Sequence, residues 1–368
     1  MIGAGIIGLS VARELRRRGA SVTVIDKERI AGAHASGRNS GVLHAGFYYS
    51  PDSLKARFTR TGNERLTEYC VSRGLKINRC GKLVVATCDE DLPRLDELHR
   101  RGLANGVTLE AIGAREAREI EPRAIVHERA IWSPTTSTID PRALMDSLLR
   151  DAVAEGVEAR LGTEWTPRID AGFVVNAAGL GAVKIARQFG FARHYRMLPF
   201  RGVYLYSNRP HSLRTNLYPV PDPRFPFLGV HFTVTVGGDV KIGPTARPPL
   251  LRGALLLATH RELRAQAVEE IRKMSRRHLV KRAAALATDV RLAEFDRWGA
   301  PGIRAQLYDT RTRALEMDFV LEADAQSMHI LNVVSPGLTC ALPFAEYVVD
   351  AITNVGAGFS PPSAGPPG

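Results

Sequence analysis

The first 28 residues change hydrophobic period twice. Met1 and Ile2 precede the turn Gly3-Ala4-Gly5-Ile6-Ile7-Gly8; Leu9, Val11, Ala12 and Leu15 then recur at helical spacing up to Gly19. A compact apolar run at 21–25 follows and ends on Asp26. The order predicts turn, helix, strand, with only two residues left for the strand that should come first. Residues 31–49 have no period and are small and polar, so they predict a loop, one ordered against a ligand. Helical patterns cover 53–74 (Leu54, Phe58, Leu66, Tyr69), 91–105 (Leu92, Leu95, Leu98) and the start at 113–120, with a strand at 82–87 between the first two. Residues 131–141 read as a loop that leads into a helix beginning near Pro141 and containing Leu144, Met145, Leu148, Leu149 and Val153. At 173–179 an apolar strand runs into small residues and a helix at 182–189, which repeats the opening pattern and predicts a return to the same sheet.

The middle of the chain changes character. Short aromatic and β-branched runs at 198–207, 217–220, 227–236 and 239–243, punctuated by Pro and Gly, predict an antiparallel sheet and so a second domain. Residues 256–288 are helical and basic (Arg261, Arg264, Arg272, Lys273, Arg276, Arg277, Lys281, Arg282), a solvated face with an anionic-membrane contact as the alternative. Apolar segments at 300–306 and 319–321 precede a strand at 327–334, which enters Ser335-Pro336-Gly337-Leu338-Thr339 and a helix with Pro343 in or just past its first turn. Residues 356–368 are rich in Pro, Gly and Ser and predict a disordered tail.

Composition narrows the picture only modestly. A chain of 368 residues suggests two domains. Cys70, Cys80, Cys88 and Cys340 have neither C-x-x-C spacing nor the density of a secreted scaffold, which predicts reduced thiols in a cytoplasm and no structural metal. The sequence shows no signal-peptide pattern and no apolar run of membrane-spanning length. The net charge of +12 is spread along the chain without a nucleic-acid motif, so nucleic acid is not an expected partner.

The chemistry begins with the glycine turn. Gly3, Gly5 and Gly8 fit G-x-G-x-x-G: the first permits the tight turn, the second lets backbone approach a pyrophosphate, and the third lets helix pack on strand. The helix N-terminus supplies amides and a positive dipole end for phosphate. Asp26 stands where a carboxylate binds ribose hydroxyls, and its charge disfavours a 2′-phosphate, which sets NADP behind other dinucleotides. A short first strand would forgo about 1.5–3 kcal/mol per missing buried apolar residue, so the natural start is expected upstream of Met1.

Several blocks together carry a resemblance. Beyond the glycine turn they are Asn39-Ser40-Gly41-Val42-Leu43-His44-Ala45-Gly46-Phe47-Tyr48-Tyr49; Pro199-Phe200-Arg201-Gly202; Tyr218-Pro219-Val220-Pro221-Asp222-Pro223 through His231; Gly302-Ile303-Arg304-Ala305-Gln306; and Ser335-Pro336-Gly337-Leu338-Thr339. In these blocks the chain resembles the L-2-hydroxyglutarate dehydrogenases and oxidases, within the D-amino-acid-oxidase-like flavoproteins. The resemblance implies an α/β plus α+β chain: a Rossmann-like FAD-binding domain at 1–80, 130–195 and 300–355, and an antiparallel-sheet substrate domain at 81–129 and 196–299. It implies FAD, held by Gly3, Gly5, Ile6, Ile7 and Gly8 at the pyrophosphate, by Asp26 and Lys27 at the ribose, and by Ala178 and Gly179. The flavin would lie against Ser36, Asn39, Ser40 and Gly41 and against Pro336, Gly337, Leu338 and Thr339.

The implied substrate is L-2-hydroxyglutarate or a close 2-hydroxy acid. Its oxidation needs a base for the hydroxyl proton, cations for carboxylates and a flavin face for hydride. His44 and His231 are candidate bases, since a neutral imidazole accepts a proton near pH 7; Arg304 is the candidate carboxylate clamp, with Arg201 and Tyr218 as further substrate contacts. Oxygen, a quinone or a soluble carrier are equally compatible as electron acceptor, and the expected location is cytoplasmic, with a peripheral membrane contact as an option. Rival readings are an amine or amino-acid oxidase of the same superfamily and a truncated, inactive relative. Three departures stand out: Thr245 where the family usually has asparagine, a short interval between 141 and 173, and Pro343-Phe344 where small residues are usual.

Overall fold

Ile2 donates its amide to the Val175 carbonyl at 2.8 Å and accepts from Ala177 at 2.9 Å, while Gly3 donates to Ile25 at 2.8 Å and Ile25 to Met1 at 2.9 Å. The two residues before the glycine turn therefore occupy the central slot of a parallel sheet, bridging Asn176 on one side and Ile25 on the other. In this computed structural model, which describes residues 1–222, 228–247, 272 and 275–355, that sheet runs Val320–Ala323, Ser327–Asn332, Val174–Asn176, Ile2, Thr23–Asp26, Glu158–Leu161. Only the first of these strands is antiparallel to its neighbour. As the repeated pattern predicts, 174–176 rejoins the opening sheet; the Glu158–Leu161 strand was not legible, because exposed charged positions interrupt it.

The Ile6–Arg17 helix buries two stripes. Leu9 and Ala12 pack with Val24, Leu144 and Leu148, whereas Val11 packs with Phe58, Met328, Phe344 and Val348. This places the first helix between the Pro141–Ala154 helix and the pair formed by Leu54–Ser72 and Gly337–Val355. Caps follow the sequence: Ser53 Oγ accepts from Ala56, and the Asp140 carboxylate accepts from Arg142 at 2.8 Å with Pro141 opening the helix. Pro343 lies in the second turn of the last helix, just past the first.

The second sheet has eight strands in the order Phe295–Trp298, Leu205–Ser207, Val240–Gly243, His231–Val234, Asn216–Pro219, Lys82–Val85, Arg129–Ser133, Glu110–Gly113. It is antiparallel except where Asn216–Pro219 meets Lys82–Val85. Alternation divides it cleanly. Leu83, Val85, Leu217, Phe232, Val240 and Ile242 form one core with Leu279, Val280 and Ala283 of the Arg276–Ala283 helix. The other face carries Lys82, Tyr218, His231, Thr233 and Lys241, all buried. Two three-stranded sheets complete the described residues: Tyr195–Gly202 with Gly302–Asp309 and Ala314–Leu315, and Val42–Leu43 with Ser137–Ile139 and Ile77–Asn78.

Residues 131–141 are not the expected loop. Arg129–Ser133 and Ser137–Ile139 are strands, paired with Lys82–Val85 and Val42–Leu43; Ser133 Oγ pairs with Thr136 Oγ1 at 2.9 Å, and Thr138 Oγ1 donates to the Val234 carbonyl at 2.8 Å. Of the basic stretch at 256–288, only residue 272 and 275–288 are described, with one helix at Arg276–Ala283; the remainder and the 356–368 tail lie outside the described residues. Among the described residues no helix is long and apolar enough to cross a membrane.

Candidate active site

The glycine turn is closed by contacts that leave no room for side chains. Gly3 has φ +105°, and a Cβ there would lie 2.5 Å from the Ala177 carbonyl oxygen; a Cβ on Gly8 would lie 1.8 Å from the Gly3 carbonyl oxygen. Gly5 caps the helix without a side chain, and Ser36 reaches over from the 31–49 loop, its Oγ accepting from Ile6 at 2.9 Å. Asp26 braces the turn, accepting from Ala4 at 2.7 Å and Glu28 at 2.9 Å, while Lys27 is exposed beside Glu28. Ala177 closes on Gly3, and the adjoining Ala178 donates to Asn176 Oδ1 at 3.2 Å before Gly179 turns with φ +52°. The two strand-turn-helix units thus meet at one crevice, where Ile7 continues the first helix. This side-chain-free cradle at a helix N-terminus fits a pyrophosphate.

The 35–44 loop is held by its own polar groups. The Asn39 amide donates to the Ala35 and Ser36 carbonyls at 3.1 and 2.7 Å and its Oδ1 accepts from Gly41 at 2.9 Å; Ser40 Oγ accepts from Val42 at 3.3 Å. Gly41 has φ +78° and sits so close to Ile139 that a Cβ would lie 2.4 Å from its carbonyl oxygen. The loop reaches the last helix through His44, whose amide donates to Thr339 Oγ1 at 3.1 Å. Thr339 belongs to the turn with Pro336, Gly337 and Leu338, so the two segments expected to flank a flavin are joined. Asn63 supports the junction, its Nδ2 donating to the Leu43 and His44 carbonyls at 3.1 and 3.2 Å.

His44 and His231 come together from the loop and the eight-stranded sheet. Both are buried, and His231 is one of the groups whose charge acts on His44. His44 Nδ1 has no hydrogen-bond partner, and burial, followed by the charges of Lys82 and His231, holds its pKa well below the usual histidine range. His231 Nδ1 lies 2.8 Å from the Gly229 carbonyl, which can only accept, so Nδ1 carries a proton. Tyr218, directly across the ladder, stacks on His231 with centroids 3.9 Å apart at 17°. Burial raises its phenol well above the ordinary tyrosine value.

Arg304 is half-buried, and desolvation pulls its guanidinium down to about 10; its Nε donates to Gln306 Oε1 at 3.1 Å, and Gln306 donates to the Glu316 carbonyl at 2.6 Å. Tyr49 and Lys55 stand by it. Arg201 does not join this group by its side chain. Phe200 is the residue opposite Arg304 in the ladder, and Arg201, one position on, is exposed on the other face.

Three buried lysines escaped sequence reasoning. Lys55, pulled to about 7 by burial and by Arg304, has Nζ 5.8 Å from the Tyr49 ring centroid. Lys241, at about 8, donates to the Ser40 carbonyl at 3.0 Å. Lys82, at about 7, is fully buried. Lys55 carried a signal, since it shares a helical stripe with Thr59, Gly62 and Leu66; Lys82 carried a weaker one, as a lysine on the inward alternation of an apolar strand. His127, Asp89 and Glu128 also place ligand atoms within 4.8 Å of one another, at the surface.

Comparison with known proteins matches this geometry. Residues 1–351 match the family described as FAD dependent oxidoreductase. The chain is 31% identical to the mitochondrial L-2-hydroxyglutarate dehydrogenase of Bos taurus over 410 residues, covering 96% of this chain and 88% of that one. It is 33% identical to the Nematostella vectensis mitochondrial enzyme of the same name (95% and 89%) and 29% identical to L-2-hydroxyglutarate dehydrogenase of Escherichia coli K12 (98% and 94%). Among solved structures, the FAD-bound, dithionite-reduced L-α-glycerophosphate oxidase of Mycoplasma pneumoniae superposes with a TM-score of 0.78 at 22% identity, covering 96% and 93% of the two chains. Glycine oxidase from Geobacillus kaustophilus does so at 0.73 and 20%, covering 98% and 95%. The fold is therefore shared widely while the sequence is shared selectively, and the chain belongs to the FAD-dependent oxidoreductase family, among the L-2-hydroxyglutarate dehydrogenases.

Proposed function

We propose that this chain oxidises L-2-hydroxyglutarate to 2-oxoglutarate. The observation that carries the reading is His44: a buried imidazole, held neutral by burial and by Lys82, with an unpartnered Nδ1 and a backbone amide joined directly to Thr339. Bound FAD supplies the two-electron acceptor. Oxidation of a secondary alcohol removes the hydroxyl proton and the hydride on C2, leaving a carbonyl. His44 takes the proton, and His231, anchored through Nδ1 to Gly229, stands beside it as the second imidazole of the site. Arg304 pairs with the carboxylate next to C2, its planar fork held by Gln306. The N-terminus of the Gly337–Val355 helix, whose first turn holds Thr339, would favour negative charge on the bound cofactor.

We place residues 1–80, 134–195 and 300–355 with the cofactor and 81–133 and 196–299 with the substrate, the pairing of Tyr195–Gly202 with Gly302–Asp309 joining the two. The Arg129–Ser133 strand pairs with Lys82–Val85, which moves one expected boundary by a few residues.

The decisive experiment is anaerobic reduction of the bound flavin, followed by absorbance. L-2-hydroxyglutarate should bleach the oxidised flavin bands, and the D-enantiomer, glycine, sarcosine and D-amino acids should not. Reduction by the amines alone would replace this reading with that of an amine oxidase.

A further inference from the structure

Lys82 is fully buried on the polar face of the eight-stranded sheet, and its Nζ has no hydrogen-bond acceptor. Three rings stand where a counter-ion would: Nζ lies 4.3 Å from the Tyr218 centroid, 5.0 Å from Tyr48 and 5.4 Å from Phe47. Ring faces offset only part of the desolvation of an ammonium, so the site is short of an anion. The Tyr48 hydroxyl beside it is likewise buried and without a partner. Among the described residues no carboxylate acts on Lys82 or on His44; their charged neighbours are Cys80, His231 and each other.

A second cationic station lies on the other side of the same turn. Tyr48 faces Lys82, whereas Tyr49, the next residue, faces Lys55 and Arg304. Two cation stations served by consecutive tyrosines, the first of them also acting on His44, match a ligand with two carboxylates and exceed what a monocarboxylate uses.

We propose that Lys82, with the Tyr48 hydroxyl, receives the second carboxylate of the 2-hydroxy acid and is the residue that selects dicarboxylates over monocarboxylates. The assignment rests on the hydroxy-acid reading above.

The test uses the FAD-loaded enzyme and equilibrium binding. Wild type and Lys82→Met are titrated with 2-oxoglutarate and with 2-oxobutyrate, with perturbation of the flavin spectrum as readout. Lys82→Met should weaken 2-oxoglutarate by about 100-fold, the scale of a lost buried charge pair, leave 2-oxobutyrate within about threefold, and keep a Tm at or above wild type, because an unpaired buried ammonium has been removed. An unchanged ratio of the two affinities, or a large fall in Tm with equal losses for both ligands, would overturn the assignment. Should Lys82→Met fail to fold, Lys82→Arg and Tyr48→Phe carry the test. Arginine should keep most of the preference, and Tyr48→Phe should cost about five- to tenfold for 2-oxoglutarate alone; equal losses for both ligands in Tyr48→Phe would again reject it. The underlying reading is checked separately on wild type. If L-2-hydroxyglutarate does not reduce its flavin, the hydroxy-acid reading fails; if it does and the affinity ratio survives in Lys82→Met, only the role of Lys82 fails.

Discussion

His44 meets two demands that pull in opposite directions. A base must be unprotonated at working pH, and burial together with Lys82 secures that by pushing the imidazole far below its ordinary value; the same push makes it a weaker proton acceptor. The acidic limb of kcat/KM should therefore fall below pH 6.5, and a basic limb should begin near pH 7, where Lys82 loses its charge in the free enzyme. Lys82→Met removes one of the depressing charges and should move that limb upward, only part of the way, since desolvation is the larger cause. His44→Asn should lower kcat by about 10²–10⁴-fold while the flavin spectrum is retained; a loss under tenfold would transfer the role to His231. His44 was visible in the sequence because it sits in a loop of small residues with no core of its own. Lys82 was not, since a lysine is almost never fully buried unless paired, and only the ladder shows which face of its strand turns inward.

At the scale of elements, the Leu54–Ser72 helix does more than cover the sheet. Its buried stripe brings Gly62 against the last helix so closely that a Cβ would lie 2.2 Å from the Thr339 carbonyl oxygen and 3.0 Å from its carbonyl carbon. Those atoms are backbone and cannot move aside without shifting Thr339, whose hydroxyl accepts from the His44 amide. Gly62→Ala should cost about 1–3 kcal/mol in stability and release flavin faster than wild type, although Gly62 lies in neither flavin-facing segment. Thermal unfolding followed by flavin fluorescence reads both; a Tm and an FAD off-rate equal to wild type would show that the two helices slide apart without consequence. The helix itself was legible from its apolar period. The Ser137–Ile139 strand was not, because a run of hydroxyl residues looks like a loop until its partners, Thr138 with Val234 and Ser133 with Thr136, are known.

At the scale of the molecule, the fold places three lysines in one dry region, and the cost falls on folding. Lys55 and Lys82 are pulled from 10.5 to about 7 and Lys241 to about 8, in each case first by burial. In the unfolded chain all three stay protonated to about pH 10. Between pH 7 and 9 the folded protein therefore carries fewer protons than the unfolded one, and stability must rise with pH, by about 1.4 kcal/mol per pH unit for each lysine that has discharged. His329, depressed to about 4 by burial, and His44 act in the same sense below pH 6.5, so stability also declines on acidification. The rise becomes shallower near pH 9, where Cys70 and Cys340, raised to about 11 and about 12 by burial, keep protons that the unfolded thiols release. The holoenzyme should thus show a Tm that climbs from pH 7 to 9, a climb made shallower by Lys82→Met and flattened by saturating 2-oxoglutarate, whose carboxylates restore protons to the lysines. A Tm that falls across this interval would mean that the three ammonium groups find anions in the folded protein, and would remove the electrostatic case for a dianionic substrate.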